Sequence, residues 1–158
     1  MSRASADLER LEQAMRLFFQ TIKRPAHWER VMAAAGVGVD RPGAAILSTL
    51  TAGSGTSRLH DIAQQLGIEA PSVTRKTQAL EQAGYVRRVP DSADKRAISL
   101  HITAKGRKSS EQLRAAQRTL IKQAVADWPA NDRTLFINLF ERFSHDLADS
   151  TSVHTKKF

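Results

Sequence analysis

The stretch PDSADKRAISLHITAKG, residues 90–106, decides how the rest of the chain is read. Its first half is a charged tip holding Asp91, Asp94, Lys95 and Arg96. Its second half alternates: Ile98, Leu100 and Ile102 are apolar, with Ser99, His101 and Thr103 between them, the period of a half-buried strand. Just upstream, YVRRV (85–89) reads as a partner strand, so the two make a hairpin around the charged tip. Thr103 is placed to cap a following helix.

Working toward the N-terminus, PSVTRKTQALEQAG (71–84) has Pro in its first turn and Gly just past its end, the asymmetry of a helix. LHDIAQQLG (59–67) is a second short helix, ended by Gly67. About four residues separate them, the length of a helix-turn-helix connection. TAGSGTS (51–57) reads as a loop. Before it lies a helix with Ala45, Ile46, Leu47 and Leu50 inside, Asp40 as N-cap and Pro42 in the first turn. Three helices followed by a hairpin is the order of a winged helix-turn-helix.

Helices also flank this module. Leu8, Leu11, Met15, Phe18, Phe19 and Ile22 form one apolar stripe over residues 5–23, and a weaker helical piece covers 27–35. Residues 104–127 and 131–149 make two more helices, separated by Pro129. Their stripes exceed what a small monomer needs, so they predict a helical dimerisation region. The expected fold is mostly α with a small β-hairpin wing. Residues 1–38 and 105–150 serve dimerisation, 39–104 form the winged module, and 151–158 are a frayed tail.

The chain has 158 residues, 41% of them hydrophobic, enough for a core, and a net charge of +8. From Pro71 to Lys108 there are nine basic and three acidic residues, so +6 of the charge is concentrated there. Such a segment is a docking surface for a polyanion, double-stranded DNA first among them. Cysteine is absent, which excludes disulfides, thiolate zinc sites and thiol redox switches. No apolar run approaches the roughly 18 residues of a membrane span. The opening residues lack the apolar core of a signal peptide. The expectation is a cytoplasmic protein with no membrane partner.

At 100° per residue, Val73 and Leu80 define the buried side of the 71–84 helix. Arg75, Gln78 and Gln82 lie opposite, with Ser72 and Thr74 flanking them near the N-terminus. Such side chains hydrogen-bond base edges and phosphates in a major groove. The competing reading is an ordinary solvated face, and the neighbouring basic hairpin favours DNA over it.

These residues resemble the MarR family of bacterial winged-helix transcription regulators. Asp94, Arg96, Leu100, Ile102, Thr103, Lys105 and Gly106 fit the family pattern D-x-R-x-x-x-L-x-[LI]-T-x-K-G. LHDIAQQLGIEAPSVTRKTQALEQAGYVRRVPD follows its helix-turn-helix and first wing strand. The resemblance covers about residues 40–147. It implies a homodimer whose two recognition helices enter successive major grooves of a pseudo-palindrome, in most members as a repressor. It places Ser72, Thr74, Arg75 and Gln78 at bases and phosphates and Arg96 at the wing tip; Lys76 on the helix and Arg88 and Lys95 in the wing are further candidate DNA contacts. Asp94 braces an arginine. The family usually has two apolar residues where this chain has Lys76 and Thr77, and a capping residue where it has Ala70.

The alternatives weighed are a sequence-indifferent architectural DNA binder and, third, an enzyme. His27, His60, His101, His145 and His154 lack the spacing of a metal site, so neither metal nor cofactor is expected. The pair His60–Asp61 is too short a motif to carry catalysis. The resemblance also implies a small aromatic effector, with Phe18, Phe19, Trp28 and Met32 as the candidate pocket; plain core packing is the favoured reading of these four.

Overall fold

The computed structural model describes residues 3–91 and 97–152. The expectations placed on Asp94, Lys95 and Arg96 therefore fall outside the described residues, as do those on 153–158. Seven helices and three strands run in the order α1 (Arg3–Lys23), α2 (Pro25–Ala35), α3 (Arg41–Ala52), β1 (Thr56–Arg58), α4 (Leu59–Leu66), α5 (Ala70–Gln82), β2 (Val86–Pro90), β3 (Ile98–Ile102), α6 (Ala104–Ala124) and α7 (Ala130–Ser152). The chain divides into two compact units, Met1–Arg118 and Thr119–Phe158.

The local signals act as expected. Asp40 N-caps α3, its Oδ1 accepting from the Gly43 amide at 2.9 Å, and Pro42 sits in the first turn. Gly67 closes α4 in the left-handed region, φ 61°. Val31, Ile46, Leu47, Leu50, Ile62, Val73, Val86 and Leu100 are essentially inaccessible to solvent and form the core of the first unit. Thr77 is as buried as they are, and its hydroxyl donates to the Thr74 carbonyl at 3.0 Å. That bond satisfies the one polar atom an apolar residue would not have brought.

One element departs from the reading as loop. Residues 56–58 form β1, and the sheet has three antiparallel strands in the order β1-β3-β2. Thr56 pairs with His101, Ser57 with Leu100 and Arg58 with Ser99. Three residues are too few to show alternation, and their partners lie more than forty positions away. The strand exists only because β3 needs a second neighbour.

The joint between α5, β2 and α6 explains the Thr-x-Lys-Gly end of the opening stretch. Thr103 Oγ1 lies 2.7 Å from the Gly84 carbonyl oxygen and 3.0 Å from that of Tyr85, and it accepts from the Gly106 amide at 3.1 Å. The Thr103 amide donates to the Tyr85 carbonyl at 3.0 Å. Lys105 donates to the Ala83 carbonyl at 2.7 Å, with its ammonium 4.6 Å from the Tyr85 ring centroid. Three successive carbonyls at the end of α5 are thus held by one short segment. Gly106 is buried there, and a Cβ on it would lie 2.1 Å from the Tyr85 carbonyl oxygen.

Gly106→Ala is therefore expected to destabilise the fold by about 3 kcal/mol, since the backbone itself must move. Urea denaturation monitored by circular dichroism measures this; a loss under about 1 kcal/mol contradicts the tight joint.

Candidate nucleic-acid interface

On α5, Val73, Thr77 and Leu80 point into the core while Arg75, Gln78 and Gln82 are exposed, with Ser72 and Thr74 half-exposed near the N-terminus. Thr74 donates back to the Ala70 carbonyl at 3.0 Å. The N-cap position is Glu69, with no side-chain bond to the helix. Here α5 begins at Ala70, so Ala70 lies within the helix and the cap falls one residue earlier. Pro71 still supplies the first-turn geometry.

Lys76 is drawn off the open face. Its ammonium pairs with Asp40 Oδ2, the same carboxylate that caps α3. In the wing, Arg87 is exposed, whereas Arg88 is half-buried. Arg88 lies opposite Leu100 on the side that faces the core, and its backbone amide donates to Glu81 Oε1 at 2.9 Å. Its Nε is buried without a hydrogen-bond partner among the described residues. Period-two alternation from the buried Val86 points to Arg87 as the outward strand residue.

Two residues that sequence reasoning missed meet at the base of the wing. Arg58 Nε donates to Asp91 Oδ2 at 3.1 Å and Nη2 to Oδ1 at 2.7 Å. Ser99 Oγ donates to the same Oδ2 at 2.7 Å. Arg58 holds the N-cap position of α4, where Ser, Thr or Asp is the usual residue, and that oddity was the only signal available. Beside it lies an open cleft of about 370 Å³, bordered by Arg58, His60, Asp61, Thr74 and Ile98.

Of the four candidate effector residues, Trp28 borders a cavity of about 250 Å³, shared with Arg41, Ser48, Ser110, Leu113 and Arg114. Its indole N–H donates to the Val39 carbonyl at 3.2 Å. Phe18 and Phe19 are exposed on α1 and pack edge-to-face, 5.6 Å between centroids. Met32 is half-buried on α2 and does not border the cavity. Among the described residues, no three His, Asp or Glu side chains cluster to hold a metal ion. No helix there is long and apolar enough to cross a membrane.

Three helices, a short third strand and an antiparallel hairpin, with a polar helix face beside basic strands, define a winged helix-turn-helix. The MarR family model matches residues 44–98. The chain is 30% identical over 108 residues to the HTH-type transcriptional regulator PrsX of Escherichia coli, covering 68% of this chain and 65% of that protein. It is 31% identical over 83 residues to the uncharacterized HTH-type transcriptional regulator YwoH of Bacillus subtilis, 52% of this chain and 60% of that one. The chain thus spans less than two thirds of the length of these curated relatives. The crystal structure of the MarR family transcription regulator SP03579 superposes with a TM-score of 0.76 at 19% identity, over 94% of this chain and 95% of that one. Over residues 44–98 the chain thus matches the MarR family of regulators.

Asp40→Ala should cost about 1 kcal/mol, the usual value of an N-cap, while Asp40→Asn should cost less than half of that because Asn still caps. Equal losses in denaturant titrations would show that the Lys76 pair, not the cap, is the stabilising contact.

Proposed function

We propose that this protein is a cytoplasmic, sequence-specific DNA-binding transcription regulator, acting as a repressor that occupies a pseudo-palindromic operator as a homodimer. The single observation that carries this reading is the exposed Arg75 and Gln78 face of α5, with Ser72 half-exposed at its edge, set beside the exposed Arg87 of β2. Arg pairs bidentately with guanine and Gln with adenine in a major groove. Arg87, with Lys95 and Arg96 between β2 and β3, supplies the cations for backbone and minor groove. Lys76 acts at one remove, through Asp40.

The dimer is supported by large apolar side chains exposed among the described residues. On α1, Leu8, Leu11, Leu17, Phe18 and Phe19 are exposed. In the second unit none of the described residues of α7 is buried, and Trp128, Phe136 and Phe140 form a solvent-facing ladder with centroids 5.2 and 5.6 Å apart. Patches of this size mark association surfaces. The cavity beside Trp28 supports a small-molecule effector that would release DNA by favouring another conformation.

Competition binding tests the function. The regulator should prefer its operator over random DNA by about 10³-fold or more at physiological salt. No preference would leave the architectural reading standing. Selection from a random library should show one half-site position relaxed by Arg75→Ala, and Arg96→Ala should weaken binding to all sites alike; unchanged logos and affinities refute these roles. Sedimentation should give a dimer for the parent chain and a monomer for Phe140→Glu, with the first unit still folded.

A further inference from the structure

We infer that Arg58 and Asp91 form a latch that fixes the angle of the β2–β3 hairpin against α4 and α5, and so the spacing between the wing and recognition-helix contacts on DNA; the inference rests on the DNA-binding reading above. Arg58 ends β1 on one edge of the sheet, and Asp91 directly follows β2 on the other. Between them lies β3, whose Ser99 is the register partner of Arg58. The hydrogen-bonded set Arg58–Asp91–Ser99 therefore crosses all three strands.

It does so at the place where control of the hairpin is lost or kept. The last register pair is Pro90 with Ile98, and beyond it the Asp91 amide donates to the Ala97 carbonyl at 2.9 Å. Asp91 is the last described residue on the β2 arm of the hairpin. On the other side, Arg58 is the N-cap residue of α4 and contributes no side-chain cap. The helix forgoes an ordinary capping bond, and the side chain at that position reaches the wing instead. Isolated surface ion pairs do little. This one is a two-point fork onto a carboxylate side chain only 11% exposed, further held by a hydroxyl, which is an orienting geometry.

The test sets the latch against simple electrostatics by sign. Asp91→Asn removes a negative charge from the DNA-facing side, so charge alone predicts tighter binding. The latch predicts binding weaker by about tenfold to a duplex carrying the library-selected site. Arg58→Lys keeps the charge but loses the fork, and should weaken binding as much as Arg58→Thr, whose threonine restores a cap and so preserves α4. A DNA-free measurement accompanies these. The chain has no cysteine, so Gln64→Cys and Pro90→Cys can carry spin labels on α4 and at the end of β2. Their distance distribution should broaden in Arg58→Thr and Asp91→Asn with an unchanged melting temperature. Asp91→Asn binding as tightly as the parent or more tightly, or distributions that stay narrow in both variants, overturns the latch. If the parent shows no sequence preference, the functional reading fails and the distance distributions alone decide the latch.

Discussion

The placement of α5 and of the hairpin hangs from the contact between Thr103–Gly106 and the carbonyls of Ala83, Gly84 and Tyr85. Those three carbonyls end α5, the helix whose outer face carries Arg75 and Gln78. They also begin the path into β2. Thr103 in turn follows β3 directly and caps α6. One segment therefore fixes the exit of α5, the start of the hairpin and the first turn of the long α6 helix. Hydrogen bonds of ordinary strength suffice, because the alternative is to leave several backbone acceptors at a helix end without partners. The approach is so close that position 106 admits no side chain, and this explains why a strand ending in Thr is followed two residues later by Lys-Gly.

The second constraint is electrostatic. A basic surface repels itself, and acids placed on it to relieve that repulsion would also repel phosphate. The structure resolves the conflict by engaging its acids with neighbouring groups. Asp40 accepts from the Gly43 amide and from Lys76. Asp91 accepts from Arg58 and Ser99. Glu81 accepts from the Arg88 amide. Each carboxylate meets a donor, and two of the three join elements far apart in sequence. The negative charge is spent on architecture, which leaves Arg75 and Arg87 facing solvent.

Short-range signals made much of the fold legible. The Asp40 cap, the Pro and Gly punctuation of α3 to α5, the alternation in β3 and the 100° placement of Val73 and Leu80 opposite Arg75 and Gln78 all depend on residues within a turn or two of each other. What escaped depends on residues that meet only after folding. Strand β1 needs β3, more than forty positions on. Arg58 and Asp91 stand 33 residues apart, and Lys76 and Asp40 stand 36 apart. Arg88 appeared as a free cation because a run of two arginines hides which one the pleat turns inward. The cavity beside Trp28 draws its walls from α2, α3 and α6, so no local pattern announces it.

The double duty of Asp40 has a mechanical consequence. Its two oxygens serve two masters, the first turn of α3 through Gly43 and α5 through Lys76. Arg41, the next residue along the chain, borders the Trp28 cavity, and the Trp28 indole is bonded to the carbonyl of Val39, the residue before. Of three consecutive residues, Val39 and Arg41 therefore meet the cavity wall, while Asp40 between them holds the helix cap and pairs with α5. A displacement of this segment by a fraction of an ångström must stretch the cap, the ion pair or the indole bond. Close packing lets Leu80 and the Gly43 backbone, whose hypothetical Cβ would sit 3.2 Å from Leu80 Cδ2, pass such a shift directly to α5. The cavity wall and α5 are thus joined through contacts one residue apart, with no distant relay between them.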